Sequence, residues 1–335
     1  MALQHLVFRP DEPEALLRYR SYVRDDPTFR IGQTRVAEMG GRIVGHLRVW
    51  DRKLAVRGTV LTAGGIGSLL THPEYRGRGI ASGLLENTEQ YFEEASYDIG
   101  LLFSIIGTPY YACRGWSPIP ISTFEISLAD AAESGTFSPR ELEPDKDMQA
   151  VRRLHDAVSG RYTGTEVRDQ AYWLTGPARY RSVFPRYGVE RGGELCGYVN
   201  WDIVNGKVWV AECCAGSEDA YADLAALVVR EGIANGPDPV IGSLPQNHPL
   251  IKELEALAGA SADWSSHNEM MVKIARWDRF SQKLGLDGRG IDLTKDQDVV
   301  NSFWRALFGC GEDGANWDRR LGTCPPAFYW WTDIF

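Results

Sequence analysis

Residues 72–81, His-Pro-Glu-Tyr-Arg-Gly-Arg-Gly-Ile-Ala, set two glycines and two arginines between two apolar runs. The run before them, Gly65 to Thr71, reads as a strand; the run after them, Ser82 to about Ala95, reads as a helix. A glycine-rich turn that opens a helix aims several backbone N–H groups one way, at the positive end of the helix dipole. The chemistry of such a turn is anion binding, and a pyrophosphate fits it. Gly77 and Gly79 permit positive φ and close approach of a ligand. Ala81 keeps the first helical turn narrow, and Arg76 and Arg78 add positive charge. Two other phosphate loops are excluded. There is no Gly-Lys-Ser/Thr ending, and Gly77-Arg78-Gly79-Ile80-Ala81-Ser82 breaks the Gly-x-Gly-x-x-Gly spacing at its last position.

A tyrosine pair stands downstream. Asp98 to Ile106 reads as a buried strand, followed by Pro109-Tyr110-Tyr111-Ala112-Cys113-Arg114-Gly115-Trp116, a short helix ending at glycine. A tyrosine there is either a packed aromatic with a satisfied hydroxyl or a general acid. Tyr110 and Tyr111 lie about 100° apart around a helix, so they point different ways.

The first segment resembles the acetyl-coenzyme A loop of the GNAT acyltransferase superfamily, Arg/Gln-x-x-Gly-x-Gly/Ala. Arg76, Gly79 and Ala81 hold its fixed positions, and the preceding His-Pro-Glu-Tyr is typical of the family. The second segment resembles that family's Tyr-x-x-x-Gly-aromatic run, with Tyr111 at the tyrosine position. The resemblance implies acetyl-coenzyme A as cosubstrate. Its pyrophosphate would lie on Arg76, Gly77, Arg78, Gly79, Ile80 and Ala81. Its pantetheine would enter a gap between two splayed parallel strands and bond the backbone edge at Leu69, Leu70 and Thr71. Tyr111 would protonate the departing thiolate after direct attack by an amine, with no metal and no covalent enzyme intermediate.

The elements around these segments give an α/β chain with mixed sheets. A strand near His5–Phe8 leads to a helix around Glu12–Tyr22. Strands follow at about Thr34–Met39 and Arg42–Asp51, joined at Gly40-Gly41, a hairpin signal. Another strand pair spans Lys53 to Thr71. Ile80, Leu84, Leu85, Thr88 and Phe92 recur at helical spacing, and a strand near Ser122–Ser127 closes a first unit at 1–130. Residues 140–275 repeat the order faintly: strands at Glu194–Ile203 and Lys207–Cys213 joined by Asn205-Gly206, a helix at Glu218–Asn235, a strand near Pro239–Gly242, a helix near His248–Leu257. Between strand and helix this copy carries Ala215-Gly216-Ser217-Glu218-Asp219, acidic and with one glycine. The expectation is tandem GNAT-like units, the second degenerate in coenzyme binding. An unrelated α/β domain is the alternative.

The C-terminal segment, 276–335, holds a helix near Asp296–Phe308 and ends Phe328-Tyr329-Trp330-Trp331-Thr332-Asp333-Ile334-Phe335. Four consecutive aromatics predict a docked tail, with Trp330 and Trp331 as core. Two tandem units and a terminal phenylalanine resemble the enhanced intracellular survival (Eis) family of amine acetyltransferases. There the carboxylate of a terminal phenylalanine acts as base, and Phe335 matches that position. That family's C-terminal domain is usually longer than the segment here. The base has three candidates: the Phe335 carboxylate, the Asp333 side chain and His46, the last otherwise a half-exposed strand histidine.

Composition is that of a globular chain, 44% hydrophobic and 24% charged over 335 residues. A net charge of −9 argues against nucleic acid as the main partner and suits a small-molecule amine acceptor, including a cationic one. No apolar run is long enough for a membrane span, and Met1 to Pro10 lacks a signal-peptide core. The six cysteines form no Cys-x-x-Cys pair and no zinc spacing, which predicts free thiols, no metal and a cytoplasmic setting. The Eis resemblance implies a homo-oligomer. Two further functions stay open: an acetyl-coenzyme A sensor without catalysis, and a transferase using another acyl donor or a hydroxyl acceptor.

Overall fold

The computed structural model describes residues 1–24, 26, 28–129, 131, 139–175, 187–236, 239–287, 291, 293, 296–310, 317, 321, 324–330 and 333. The chain opens with two helices, α1 (Ala2–Phe8) and α2 (Ala15–Arg24). The strand expected at His5–Phe8 is thus helical. Leu3, Leu6 and Val7 stand at i, i+3 and i+4, a helical spacing that so short an apolar run does not distinguish from a strand.

Strands β1 (Thr34–Met39) and β2 (Arg42–Val56) turn at Gly40 and Gly41, both at positive φ (59° and 76°). A second tight turn at Arg57-Gly58 leads into β3 (Thr59–Thr71), so β2 and β3 form one long hairpin. Helix α3 (Ile80–Glu94) and strand β4 (Ile99–Phe103) follow, then α4 (Pro109–Ala112), β5 (Ser117–Pro118) and β6 (Ile121–Ile126). The second unit runs β7 (Arg140–Glu141), α5 (Pro144–Ser159), β8 (Thr165–Glu166), α6 (Gln170–Thr175), β9 (Tyr187–Arg191), β10 (Glu194–Val204) and β11 (Lys207–Ala215). It continues with α7 (Glu218–Asn235), β12 (Val240–Gly242), α8 (Pro249–Ala258), β13 (Asp263–His267) and β14 (Met270–Ile274). Helices α9 (Trp277–Lys283) and α10 (Gln297–Leu307) follow.

These strands form two mixed seven-stranded sheets. The first has the order β1-β2-β3-β4-β14-β5, with β8 also on β2; the second has the order β13-β6-β12-β11-β10-β9-β7. The units therefore exchange strands. β14, from the second unit, completes the first sheet beside β4, and β6, from the first unit, lies between β13 and β12. The expected boundaries at 130 and 275 follow the chain, and the sheets cross them. Backbone pairing is what decides, because an edge strand lowers its free energy by finding a partner wherever one lies.

Helix α3 packs Leu84, Leu85 and Phe92 against Leu47, Val49, Ile66 and Leu102. Gly64 and Gly100, paired across β3 and β4, make room for the Phe92 ring; a Cβ at either position would come within 2.3 and 2.7 Å of it. The opposite face of this sheet takes Phe280, Phe303, Trp304 and Phe308, so the C-terminal segment shares a core with Leu54, Leu61, Ile99 and Leu101. The tail is docked. The Thr163 amide donates to Pro326 O (3.1 Å), the Phe328 amide donates to Thr163 O (2.8 Å), and Trp330 Nε1 donates to Ser159 Oγ (2.8 Å). Trp330 is buried; Trp331 lies outside the described residues. Among the described residues no helix is long and apolar enough to cross a membrane.

Candidate active site

The turn between β3 and α3 has the geometry its glycines predict. Gly77 and Gly79 hold φ of 76° and 78°, and a Cβ at either would meet nothing within 4 Å, so conformation rather than crowding requires glycine there. Gly79 is the N-cap of α3, in the left-handed region. No side chain caps the helix and its first turn carries no acidic residue. Its first N–H groups therefore look for an external acceptor. Arg76 and Arg78 are exposed and form no ion pair among the described residues; Arg78 rests over the Tyr75 ring at 5.0 Å. An uncapped helix start flanked by uncompensated cations has the chemistry to receive an anion.

Strand β3 is irregular where it approaches this turn. Its partners on β2 jump from Leu70 opposite His46 to Gly67 opposite Arg48, so Ser68 and Leu69 together face Leu47. Ser68 has φ 53°, the left-handed conformation of a β-bulge. On the other side the parallel ladder with β4 stops at Ile66–Leu102, while β3 runs on to Thr71. The two strands part there, and residues 67–71 of β3 have no strand partner on that side among the described residues. Leu69, Leu70 and Thr71 thus lie on an open edge that ends at the anion turn. Ser68 was missed in the sequence because serine carries no intrinsic preference for this conformation; only the neighbouring glycines, Gly64, Gly65 and Gly67, hint at irregularity.

Tyr111 and Tyr110 separate as a helix requires. Arg114 donates to Tyr110 O (2.6 Å) and to Ser82 Oγ (2.8 Å), and lies over the Tyr110 ring at 4.2 Å. The Tyr110 hydroxyl lies 3.4 Å from Ser82 Oγ, in the first turn of α3. These contacts tie the tyrosine helix to the anion turn. Tyr111 points inward, edge-on to Trp116 at 6.4 Å, and its hydroxyl has no hydrogen-bond partner among the described residues. Burial pushes its pKa up to about 12, so it stays protonated near neutral pH.

Of the three base candidates, Phe335 lies outside the described residues. Asp333 is fully buried. Arg168 grips both its oxygens (2.8 and 3.0 Å) and the Tyr172 hydroxyl donates to Oδ1 at 2.5 Å. A carboxylate held this way serves structure, since both its oxygens are already engaged by buried partners. The same guanidinium binds Glu212 (2.5 Å), which accepts from Tyr198 (2.6 Å). Glu166 extends the cluster. It accepts from the Lys53 amide (3.1 Å) and Tyr329 (3.3 Å), and burial pushes it up to about 8 although Arg52 lies 4.0 Å away. Tyr329 also packs against Phe103 at the end of β4, centroids 5.0 Å apart, so the tail reaches the mouth of the parted strands.

His46 is not half-exposed; it is buried, at 8%. Its Nδ1 lies 3.2 Å from Ser68 O. A carbonyl only accepts, so Nδ1 carries the proton and Nε2 is an acceptor. Nε2 has no partner among the described residues. Burial lowers the His46 pKa, which keeps the ring neutral near pH 7. His46, Arg48 and Trp50 line a pocket of about 510 Å³ between this face of the sheet and helices α1 and α2. The ring that lines this pocket thus also holds the bulge carbonyl.

Residues 1–119 match the acetyltransferase (GNAT) domain. A curated relative, the aminoglycoside 2'-N-acetyltransferase of Mycolicibacterium fortuitum, is 32% identical over 79 residues, 23% of this chain. That match spans 40% of the relative's length. A probable N-acyltransferase from Enterococcus faecalis has a similar structure, with TM-score 0.67 and 16% identity, over 84% of this chain and 71% of that one. Eis1 from Mycobacterium abscessus aligns with TM-score 0.53 and 16% identity, over 78% and 71% of the two chains. These structural likenesses establish the fold: mixed α/β with two mixed sheets.

Proposed function

We propose that this protein is an acyl-coenzyme A-dependent N-acyltransferase that moves an acetyl group from acetyl-coenzyme A to a small-molecule amine. The observation that carries the reading is the parting of β3 and β4 beside an uncapped helix start whose turn holds Gly77 and Gly79 at positive φ. The pyrophosphate binds the amides of residues 76–81 with Arg76 and Arg78 alongside. Pantetheine adds to the open edge of Leu69, Leu70 and Thr71 as an extra strand would. A backbone N–H at the bulge polarises the thioester carbonyl and holds the oxyanion. The amine attacks the carbonyl carbon directly, with proximity supplying much of the acceleration. The carbon–sulfur bond breaks and Tyr111 gives its proton to the thiolate. The proton of the attacking nitrogen goes to one of two groups: the α-carboxyl of Phe335, which the docked tail supports, or His46.

Thermal denaturation with and without acetyl-coenzyme A, followed by thiol release across an amine panel, tests the reading. Stabilisation by mass action together with turnover is the expected result. No stabilisation at saturating acetyl-coenzyme A would overturn it.

A further inference from the structure

Strand β3 is strained where the thioester carbonyl is to lie. Ser68 and Leu69 together face Leu47, and Ser68 holds φ 53°. A residue with a side chain keeps that conformation only where its neighbours fix it. The bulge also takes the extra residue out of the ladder, so the Ser68 carbonyl needs a donor from elsewhere. His46 supplies one, its Nδ1 donating across 3.2 Å.

The ring is well set for this contact. His46 lies opposite Leu70, while Gly67 and Gly65, opposite Arg48 and Trp50, put no side chain on that face of β3. Bare backbone beside the bulge leaves room for an imidazole. Burial first, and then the Arg48 charge two residues along, disfavour the imidazolium. The neutral ring carries one N–H, and that one is on Ser68 O.

The next peptide joins this contact to the site. A trans peptide points its C=O and its N–H in opposite directions. With the Ser68 carbonyl turned to His46, the Leu69 N–H is turned away from the ring. Leu69 belongs to the edge where β3 runs on beyond its ladder with β4. One side-chain hydrogen bond therefore sets the direction of one N–H on the open edge.

We propose that His46 is a positioning residue: by holding Ser68 O it aims the Leu69 N–H at the thioester oxygen of acetyl-coenzyme A. This rests on the acyltransferase reading of the same site. As the amine bonds to the carbonyl carbon, the carbonyl electron pair moves onto that oxygen. The aimed N–H holds the charge until the pair returns and the carbon–sulfur bond breaks. The role belongs to Nδ1 and is separate from any proton taken up at Nε2.

The test compares the wild type with His46→Leu and His46→Asn. The asparagine amide nitrogen takes the place of Nδ1, and both variants lack Nε2, so a difference between them reads the Ser68 contact alone. The first readout is the infrared carbonyl stretch of acetyl-coenzyme A, isotope-labelled at the thioester carbon, in the binary complex. The wild type and His46→Asn should lower its frequency relative to free acetyl-coenzyme A, and His46→Leu should lose most of that shift. The second readout is thiol release with hydroxylamine, a small nucleophile uncharged at neutral pH. Its kcat should be roughly tenfold or more lower in His46→Leu than in His46→Asn, with acetyl-coenzyme A affinity within about twofold throughout. His46→Gln, whose amide nitrogen takes the place of Nε2, should behave as His46→Leu and serves if leucine prevents folding. The same stretch in the wild type and in the leucine and glutamine variants overturns the inference and leaves the donor reading in place. So does a loss of the shift that comes with an equal loss of affinity, the mark of a merely structural role. Failure of the wild type to bind acetyl-coenzyme A would overturn the donor reading itself.

Discussion

Two turns occupy the same place in the two units and behave oppositely. After β3 the chain enters α3 through Gly79, with no capping side chain and no acid in the first turn. After β11 it enters α7 through Ser217, whose hydroxyl accepts from the Ala220 amide, and Glu218 and Asp219 follow. One helix start is left open with cations beside it; the other is closed by its own side chains. The strands tell the same story. The β3–β4 ladder ends at Ile66 and the β11–β12 ladder at Val210, each well before its longer strand ends. The second gap is filled from within. His248 lies against the backbone of Cys213, with Tyr162 stacked on one side and Trp330 edge-on at 6.3 Å. The helix after each gap starts with proline, and the position of Tyr111 in α4 is taken by Ile251 in α8. Topology alone does not make the proposed coenzyme site; it also needs an open cap, an unfilled gap and a tyrosine beside it.

The most damaging change on the open side should be Tyr111→Phe, which removes the proposed proton donor and keeps the ring. Thiol release should fall about a hundredfold or more. Acetyl-coenzyme A affinity by calorimetry should stay within about twofold, because binding falls to the turn and the strand edge. A variant with undiminished turnover would remove Tyr111 from the mechanism.

Ala81→Glu would make the first turn resemble the second by placing a carboxylate where the pyrophosphate is to lie. Affinity for acetyl-coenzyme A should drop by roughly a hundredfold at low salt, less at high salt. Equal affinity in variant and wild type would mean that the helix start is not the anion site.

The filled side carries a pH signature. Glu166 ionises near 4.5 in the unfolded chain and near 8 when folded, raised by burial. The folded state keeps a proton that the unfolded state has lost, so this group lowers stability progressively as pH rises from 4.5 towards 8. Glu166→Gln cannot ionise. Its stability relative to wild type should therefore climb across that window and level off above it, in urea melts at about pH 5, 6.5 and 8.5. A difference independent of pH would show that Glu166 is charged in the folded protein.

The smallest effect belongs to the closed cap. Ser217→Ala should cost about 1 kcal/mol in unfolding free energy and create no coenzyme binding, because Glu218 and Asp219 remain. Acetyl-coenzyme A protection traced to the second unit in this variant would break the contrast between the turns.

Much of this was legible in the chain. The Gly-Gly and Asn-Gly hairpins, the helix at Glu218–Asn235 and the glycine turn before α3 all depend on neighbours in sequence, and local rules reach them. Positive φ at Gly77 and Gly79 needs glycine whatever lies nearby, so residue type alone announced it. Tyr111 was singled out by its place in the Tyr-x-x-x-Gly-aromatic run, and packing shows that it turns inward. The strand exchange could not, since β14 and β6 choose partners more than a hundred residues away by which edge stands unpaired. His46, Arg48, Ser68 and Asp333 are ordinary in sequence. Packing alone made one histidine a buried neutral acceptor, left two donors of one arginine without partners among the described residues and closed one tail carboxylate into an ion pair. The physical reason is that a side chain's protonation, solvation and free valences are set by what the fold brings against it, and that company comes from every part of the chain.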